Sequence, residues 1–538
     1  MIRRNSMDDT KSAENRMDYF TKELFDALFG PPDSKVTSGS NITEKLVDEI
    51  DVLVKATENN ELTAPVIALF TRLAGIKKEL NVSPDAFGIS KEALILLAEK
   101  HQNIDEHGVT VGGRVNRAMP IVEQANQRVE AYLEENETEA PSGIELWDKI
   151  QENARRIKSI LNITEEAWNS YAGQLKNCID SVEKLSKIIK LPANFIEEVG
   201  RVTKNYRMRL TPYYASLIQQ NKTNDPILLQ SVPTSEMVDN IGIEIPPVAA
   251  DHSPARLIDQ FYPRVLTIKA TNMCAMYCTH CLRIAHIGKK DHIYSDNAYE
   301  EALNYIRNNH RIRDVLITGG DAFVLPNRMI KKILNALDNI DHVKMKRLGT
   351  RIPVTTPWRV DPELLEILEE SNDKKPIRVV TQINTAQEIT PISKNAFKRI
   401  SKSVNGVLNQ AVLLKGINDT KIKMWKLCET IQESYVRPYY IFNCSYRNPQ
   451  FTHFRVPVEK GRDIVESMYG NISGDAIPRY IATAGGKIPL HRSNVVGHED
   501  TDVILKKPWS DEEARYPDAD PDEYANQNFS FAKKDDSS

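Results

Sequence analysis

Three cysteines in one short stretch are the residues most able to do chemistry. Cys274, Cys278 and Cys281 lie within eight residues and make up half of the six cysteines of the chain. Three thiols cannot all pair as disulfides, so the clustering predicts metal ligands. A [4Fe–4S] cluster usually takes four thiolates, and three would leave one iron open to a substrate or cofactor. The alternative is a zinc site with a distant fourth ligand such as His280, but structural zinc sites favour two pairs of cysteines with two-residue gaps.

The spacing of these cysteines, with gaps of three and two residues, resembles that of the radical S-adenosylmethionine (SAM) family. In that family the open iron binds SAM, and one electron cleaves it to a deoxyadenosyl radical. A second segment, Gly319-Gly320-Asp321, follows a strand-like run, and glycine lets the backbone approach a ligand closely. It resembles the family's element that binds the amino group of SAM. Gly416, after a later strand-like run, falls where the family contacts the adenosine.

A lysine near the end of the chain, Lys487, directly follows two glycines. It is either a surface charge on a loop or a Schiff-base lysine that holds pyridoxal phosphate (PLP). A Schiff-base lysine reacts as a free amine, and its ordinary pKa of about 10.4 makes deprotonation at pH 7 cost roughly 4–5 kcal/mol. Burial or a nearby cation reduces that cost.

The chain as a whole resembles the lysine 2,3-aminomutase family of radical SAM, PLP-dependent enzymes from about Trp168 to about Val496. The similar segments occur in the same order and include Arg207-Met208-Arg209-Leu210-Thr211-Pro212, Asn224-Asp225-Pro226, Thr271-Asn272-Met273-Cys274, Asp314 to Ala322, Glu388-Ile389-Thr390, Arg437 to Ile441 and His453-Phe454-Arg455.

The resemblance implies a 1,2-amino shift that converts an L-α-amino acid to its β-isomer. It places the cluster on the three cysteines, PLP on Lys487, and the substrate carboxylate on Arg283. A guanidinium fork suits bidentate carboxylate binding, although Arg283 could instead form a salt bridge that supports the cysteine loop.

Three departures from the family's pattern affect the substrate and the assembly. Where lysine-specific members hold the distal ammonium with two aspartates, this chain has Ser445 and Thr483. The cysteines of the family's zinc site are missing, and Thr420 stands in the place of their partner. About 165 residues precede the similarity. The loss of the two aspartates disfavours lysine as the substrate and favours an amino acid with a neutral or acidic side chain, with glutamate as the leading candidate. Arg447 and Arg479, which lie close to these positions in the sequence, either add positive charge to the pocket or face solvent.

The elements that must position these residues change in kind along the chain. Amphipathic helical patterns fill the first part, including Met17–Phe29, a segment from Asn41, Ala64–Leu80, Lys91–His101, Val115–Glu134 and Ile144–Ile163. The acidic stretch Glu134–Glu139 with the following Ala-Pro-Ser-Gly predicts a linker. Strand-like runs then alternate with helices at Val265–Ala270, Val315–Thr318, Val354–Thr356, Ile377–Thr381, Ala411–Leu414, Tyr439–Phe442 and Tyr480–Thr483. This alternation predicts an α/β fold with a parallel sheet, open or closed.

With the resemblance, the predicted fold is an incomplete (β/α) barrel with an all-α N-terminal extension. The predicted organisation is a mobile segment (1–40), a helical extension (41–165), a helical part of the aminomutase region (166–255), the barrel core (256–500) and an acidic tail (501–538), mobile from about Pro508. In barrels the active site lies at the C-terminal ends of the strands, which is where the cysteine loop falls.

Composition excludes some partners. The net charge of −4 gives no bias toward nucleic acid or membrane surfaces, and no apolar run approaches the roughly 20 residues of a membrane span. The polar N-terminus lacks a signal-peptide core, and free cysteines with an oxygen-sensitive cluster predict a reducing cytoplasm. The expected partners are an amino acid substrate and an electron donor such as flavodoxin or ferredoxin, and a homo-oligomer is possible.

Three other functions stay open at this stage. One is a true lysine 2,3-aminomutase. Another is an enzyme of the same fold that consumes SAM without shifting nitrogen, which would form deoxyadenosine in step with product. The third is a non-catalytic binding protein built around the N-terminal helices, against which the cysteines, the Gly-Gly-Asp segment and Lys487 all argue.

Overall fold

The computed structural model describes residues 111–526, apart from 191, 205, 240–252 and 289, together with residue 529. The described residues from 129 onward belong to one compact unit. The helices predicted before residue 111 and the mobile segment 1–40 lie outside the described residues. The helix predicted over Val115–Glu134 is confirmed within a longer helix, α1 (Val111–Glu139).

The linker predicted over residues 134–143 is wrong, because its first part belongs to α1 and the rest is closely packed. α1 continues through Glu139, whose carboxylate accepts a hydrogen bond from the Thr420 hydroxyl at 2.7 Å. Lys426 donates to Asn136 at 2.9 Å. A side chain at Gly143 would clash with the carbonyl oxygen of Gln387, so this connection is fixed against the barrel.

Short helices form the part of the chain that precedes the sheet. They begin at Ser, Thr or Asp residues more often than not, and five of these side chains accept hydrogen bonds from the first turn. Their apolar side chains share one core with residues at the ends of two strands, such as Leu414 and Cys444. The helices are α2 (Trp147–Leu161), α3 (Glu165–Trp168), α4 (Tyr171–Lys176), α5 (Val182–Ile188), α6 (Ala193–Val202), α7 (Pro212–Ser216), α8 (Pro226–Ser231) and α9 (Glu236–Asp239).

The main sheet has nine strands whose spatial order follows the chain, and β2 to β8 are all parallel. The strands are β1 (Ile258–Asp259), β2 (Val265–Thr271), β3 (Asp314–Gly319), β4 (Met345–Gly349), β5 (Ile377–Thr381), β6 (Val407–Leu413), β7 (Arg437–Asn443), β8 (Arg479–Thr483) and β9 (Lys487–Pro489). β1 and β9 run antiparallel at the two edges. This is the mostly parallel sheet of a partial barrel and confirms the predicted fold class.

Helices connect the parallel strands and cover the outside of the sheet. They are α10 (Ile284–Ile287), α11 (Asp296–Asn308), α12 (Asn327–Asp338), α13 (Ile352–Thr355), α14 (Pro362–Lys374), α15 (Pro391–Ser403), α16 (Lys421–Gln432) and α17 (Val458–Glu466). Within residues 111–526, no described helix is both long and apolar enough to cross a membrane.

Six of the seven predicted strands are confirmed to within four residues at each end, and one is wrong. The run Val354–Thr356 lies in and after α13, where Pro353 occupies the first turn. The strand of this repeat is β4, with the sequence Met-Lys-Arg-Leu-Gly. This strand lacks the apolar pattern of a buried strand, because two adjacent residues in it, Lys346 and Arg347, are charged. In the folded protein Lys346 pairs with Asp338, and Arg347 pairs with Asp314.

The strands present different residues to their two faces. Ile317, Leu348 and Val379 are buried in the core that the sheet shares with its helices. The alternate positions carry polar and aromatic side chains together with the aliphatic Leu316, and strand register sets Leu316 beside Arg347 and Gln410 beside Tyr440. Since side chains alternate between the faces of a strand, the second set lines the inner face of the partial barrel.

The predicted mobile tail is wrong for most of its length. Residues after the barrel form a separate antiparallel sheet of β10 (Val495–Glu499), β11 (Asp502–Lys506) and β12 (Glu513–Pro517), followed by α18 (Pro521–Asn526). Tyr516 is buried, and its hydroxyl donates to Asn443 at 2.6 Å. A few well-placed aromatic side chains therefore anchor a stretch whose composition is acidic and poor in aliphatic residues.

We expect Lys346 to contribute much more to stability than a neighbouring exposed lysine. Lys346 is fully buried and pairs with Asp338, which is 2% exposed. Lys346→Ala would leave a buried carboxylate without its cation, so the free energy of unfolding should fall by about 3–5 kcal/mol. Lys331→Ala is the control, since Lys331 pairs with Glu370 across α12 and α14 with nearly half of each side chain exposed; it should cost under about 1 kcal/mol. Equal losses in denaturant titrations would contradict this account.

Candidate active site

The cysteine loop connects β2 to α10 and is fixed by the helical part of the chain. The amide of Tyr277 donates to the carbonyl of Arg209 at 3.2 Å, and the amide of Thr279 donates to that of Gln230 at 3.1 Å. The Thr279 hydroxyl donates to the Leu229 carbonyl at 2.8 Å. Backbone bonds to α8 and to the segment before α7 therefore hold a loop that has no secondary structure of its own.

The three thiols line one cavity, together with side chains from the helical part such as Tyr206 and Met237. All six cysteines of the chain are free. In the described part of the chain, no three His, Cys, Asp or Glu side chains converge where one metal ion could bind. A cluster has a different requirement, because each of its irons takes its own thiolate. The thiols around this cavity fit that requirement, and the cysteine loop stays a predicted cluster site.

Arginines surround the cysteine loop. Arg209 donates to the carbonyl of Cys274 at 3.2 Å, and Arg351 donates to the sulfur of Cys278 at 2.8 Å. Burial raises the pKa of Cys281 to about 12, with the charge of Cys278 acting in the same direction and those of Arg283 and Arg351 opposing it. Positive charge near a thiol favours the thiolate that binds metal, so these arginines suit the predicted site.

The Gly-Gly-Asp segment packs directly against the start of the cysteine loop. Gly319 has φ +114°, and a side chain there would clash with the carbonyl oxygen of Thr271. A side chain at Gly320 would clash with the backbone of Met273. Glycine is therefore required at both positions for this close approach.

The carboxylate of Asp321 is already hydrogen-bonded to backbone amides of the protein. It accepts hydrogen bonds from the amides of Phe323 at 2.9 Å and Arg351 at 2.6 Å. Burial raises its pKa, while these and other hydrogen bonds oppose that effect. The predicted contact with the SAM amino group stays a prediction for the segment, and Asp321 has a clear structural role within it.

Gly416 follows β6 with φ +76°. The ring of Phe529, from the last described residue, lies against it so closely that a side chain would clash. Phe529 also packs near the rings of His453 and Phe454, with ring centroids 6.0 and 5.7 Å apart. Phe529 thus covers the position where adenosine contact is predicted, and that contact stays a prediction.

Lys487 begins β9, and its side chain enters an aromatic pocket on the inner face of the barrel. The ammonium lies 5.0 Å from the ring centroid of Tyr440 and 5.9 Å from those of Tyr262 and Phe442. Burial lowers the pKa of Lys487 to about 8, and the charge of Arg347 acts in the same direction against that of Asp314. The amine is therefore far closer to its reactive form at neutral pH than an exposed lysine.

The glycines before Lys487 have a role that the sequence did not indicate. Gly486 packs under the indole ring of Trp509, which would clash with any side chain there, and Gly485 has φ +70°. The small C-terminal sheet therefore supports the turn that presents Lys487.

Arg283 carries an unused donor. Its Nη1 atom is buried and has no hydrogen-bond partner among the described residues. Burial lowers its pKa, against the charges of Asp259, Cys281 and Cys274. A buried N–H without a partner is costly, and a carboxylate ligand would satisfy it. The predicted role of Arg283 in binding a substrate carboxylate fits this observation.

The two hydroxyl residues lie at the same end of neighbouring strands. Ser445 follows β7, where its hydroxyl accepts from the amide of Arg447 at 3.2 Å, and Thr483 is the exposed last residue of β8. Arg447 is exposed and packs beside the ring of Tyr446. Arg479 is the first residue of β8, at the opposite end from Thr483, and lies beside Tyr440 of β7 in the strand register. Four residues of strand separate it from Thr483 by about 13 Å, so the suggested contribution of Arg479 to this pocket is wrong.

Sequence reasoning missed the residues that surround the predicted site residues. These are the aromatic pocket of Lys487 and the ion pairs Arg347–Asp314 and Arg351–Glu388. A signal existed for Tyr440 and Phe442, since two aromatic residues at alternate positions of a predicted strand share a face. No local pattern connects Arg351 with Cys278, which lies 73 residues away.

A parallel partial barrel with a three-cysteine loop after its first parallel strand is the architecture of a radical SAM enzyme, and the family model described as the Radical SAM superfamily matches residues 268–425. The chain is 38% identical over 390 residues to the glutamate 2,3-aminomutase of Clostridioides difficile (strain 630), covering 72% of this chain and 91% of that protein. It is 35% identical over 357 residues to the L-lysine 2,3-aminomutase of Clostridium subterminale, covering 65% and 85%. It is also 35% identical over 365 residues to the L-lysine 2,3-aminomutase of Bacillus subtilis (strain 168), covering 67% and 77%.

The chain therefore belongs to the lysine 2,3-aminomutase family of radical SAM enzymes, which are isomerases. Membership implies a [4Fe–4S] cluster and SAM as cofactors. The relatives differ in the amino acid that their names state, so family membership leaves the substrate open.

We expect the cluster to depend on the three loop cysteines alone. Cys274→Ala should lose most of the iron and sulfide of the reconstituted protein, because only two thiolates would remain in the loop. Cys178→Ala is the control, since Cys178 is buried in the helical part and its thiol donates to the carbonyl of Gln174 at 3.5 Å. Iron, sulfide and the paramagnetic signal of the reduced protein would be measured. A full cluster in Cys274→Ala would show that the assignment is wrong.

Proposed function

We propose that this protein catalyses a 2,3-amino shift on an α-amino acid other than lysine, with glutamate as the leading candidate, using PLP bound at Lys487. The observation that carries the proposal is the lowered pKa of Lys487 in an aromatic pocket, in the same partial barrel as the cysteine loop. Tyr440 and Phe442 offer flat surfaces on which a pyridine ring can stack.

Each bound group supplies chemistry that side chains lack. SAM on the cluster supplies the means to remove a hydrogen atom, and PLP delocalises an unpaired electron or a charge. An external one-electron donor, of the flavodoxin or ferredoxin kind, must reduce the cluster. The protein binds and orients the substrate and keeps water out.

Arg283 and Lys487 are proposed to bind different groups, the α-carboxylate of the substrate and PLP. Arg283 is proposed to bind the α-carboxylate through its buried Nη1 atom. This atom has no hydrogen-bond partner among the described residues, and the carboxylate would supply one. Lys487 would hold PLP through its side-chain amine. With a pKa of about 8, roughly a tenth of this lysine is an uncharged amine at pH 7, far more than for an ordinary lysine.

The pocket offers little to a lysine ammonium. Within the described part of the chain, the acid whose charge raises the pKa of Lys487 is Asp314, and Arg347 already pairs with this acid at 2.7 Å. At the C-terminal strand ends, Ser445 and Thr483 supply hydroxyls, and Arg447 adds a positive charge nearby in the chain. Burying an ammonium without a counter-charge costs several kcal/mol, whereas a carboxylate or amide can accept from these donors. The similarity to a protein named glutamate 2,3-aminomutase agrees with this substrate class.

We expect Lys487 to react with pyridoxal phosphate at lower pH than ordinary lysines. Its lowered pKa means that the free amine is half populated near pH 8 and grows with rising pH, while exposed lysines, with a pKa of about 10.4, lag by about two pH units. Borohydride trapping across pH 6–10, followed by peptide mapping, measures the adduct at each lysine. Lys487→Ala should keep its cluster and lose the adduct. An adduct that forms mainly on another lysine would overturn the assignment.

Substrate competition tests the proposed function directly. The reconstituted, anaerobic protein given equal lysine and glutamate should form β-glutamate at least tenfold faster than β-lysine, because the two family aspartates are replaced. Ser445→Asp should move this ratio toward lysine, and Ser445→Asn, of similar size without the charge, should not. Efficient β-lysine formation with glutamate inert would return the protein to the lysine-specific group.

The amount of SAM consumed in the same assay distinguishes the proposed mutase from an enzyme of the same fold that consumes SAM without shifting nitrogen. A mutase regenerates SAM, so deoxyadenosine should stay far below product. Deoxyadenosine formed in equal amount with product would instead identify an enzyme that consumes SAM.

A further inference from the structure

Arg351 connects two of the segments that are predicted to hold the cluster and SAM, the cysteine loop and the Gly-Gly-Asp segment. It follows β4 at the start of α13, and its amide donates to the carboxylate of Asp321 in the Gly-Gly-Asp segment at 2.6 Å. Its guanidinium donates to the sulfur of Cys278 at 2.8 Å. One residue thus contacts both the cysteine loop and the turn that packs against it.

A buried polar network fixes the guanidinium. Its Nη2 atom donates to the carboxylate of Glu388, to the amide oxygen of Gln230 at 3.0 Å and to the hydroxyl of Tyr214 at 3.2 Å. Glu388 is fully buried and also accepts from the amide of Asn384 at 2.8 Å and the Tyr214 hydroxyl at 3.0 Å. The side chain of Arg351 is 11% exposed, so little water screens its charge.

The network does not use every donor of this arginine. The Nε atom of Arg351 is buried and has no hydrogen-bond partner in the described part of the chain. Since Nη1 already points to a cysteine sulfur, a bound group at that cysteine is the natural acceptor for the remaining N–H. An arginine that served only Glu388 would not need to aim a donor at Cys278.

We infer that Arg351 raises the reduction potential of the cluster by donating a charged hydrogen bond to its Cys278 ligand. Reduction adds one electron, delivered by an external one-electron donor, to a cluster already surrounded by thiolates. Hydrogen bonds to the sulfurs and nearby charge set the potential of such clusters. A fixed cation beside one sulfur stabilises the reduced state more than the oxidised state. Arg351 is in this view a positioning and tuning residue that acts through Cys278, and the inference rests on the proposed cluster.

Arg351 also has a purely structural alternative as the counter-ion of Glu388. That role predicts effects on folding and cluster loading but no selective effect on the potential. The midpoint potential is therefore the decisive quantity, and it can be measured without substrate or PLP.

The experiment is a redox titration of the reconstituted full chain, with dithionite as reductant, mediators, and the paramagnetic signal of the reduced cluster as the readout. Arg351→Gln should lower the equilibrium constant for reduction at least tenfold, a shift of about 59 mV to more negative potential for one electron. Arg351→Lys keeps the charge and loses the fork, so it should shift less. Glu388→Gln removes the opposing negative charge and should shift the potential to less negative values.

The matched control is Arg359→Gln. Arg359 is also a buried arginine, but its donors go to the carbonyl of Leu325, to Asn327 and to Asp361. Its removal should leave the potential unchanged.

The outcomes separate this inference from the proposed function. A wild-type protein that binds no cluster overturns the proposed function. A wild-type cluster whose potential is unchanged in Arg351→Gln, or in Arg351→Lys if only that variant loads iron, overturns the inference alone. A shift of equal size in Arg359→Gln shows a nonspecific effect of losing a buried arginine and also overturns it.

Discussion

The close contact between two loops, with no room for a side chain, is the constraint on which the rest of the site depends. Gly319 and Gly320 lie against the backbone of Thr271 and Met273, at the point where the cysteine loop leaves β2. This approach is possible because β2 and β3 are adjacent parallel strands whose C-terminal ends meet at one edge. The cysteine loop can therefore be held by neighbours without secondary structure of its own.

Charge distribution around this contact follows from burial. Burial raises the pKa of the Cys274 and Cys281 thiols, and arginines from three different segments oppose that effect, Arg209 at Cys274 and Arg283 and Arg351 at Cys281. On the inner face of the barrel the reverse holds for Lys487, because burial and Arg347 both favour the uncharged amine. The same physical effect, desolvation, thus opposes metal ligation in one place and favours amine chemistry in the other.

The C-terminal sheet and the residues after it support the barrel where the predicted site residues lie. Trp509 packs on Gly486 before Lys487, Tyr516 bonds to Asn443 at the end of β7, and Phe529 covers Gly416 after β6. The hydroxyl of Tyr524 donates to Asp419 at 2.7 Å. Aromatic side chains spread over about twenty residues therefore order a segment whose composition resembles that of a mobile tail, and two of them, Tyr516 and Phe529, are buried.

Local sequence determined the elements and the reactive residues of this protein, and tertiary structure decided how those residues are set to work. Alternating strand and helix patterns predict a parallel α/β sheet, because hydrophobic periodicity is a local property, and the resemblance of the cysteine spacing to a known family implies the partial barrel and the cluster loop. β4 escaped this reasoning, since its two cations, Lys346 and Arg347, pair with acids outside the strand, Asp338 and Asp314. The pKa of Lys487, the free donor of Arg283 and the bond from Arg351 to Cys278 also arise only when separate strand ends meet, because burial and charge pairing depend on neighbours in space rather than in sequence.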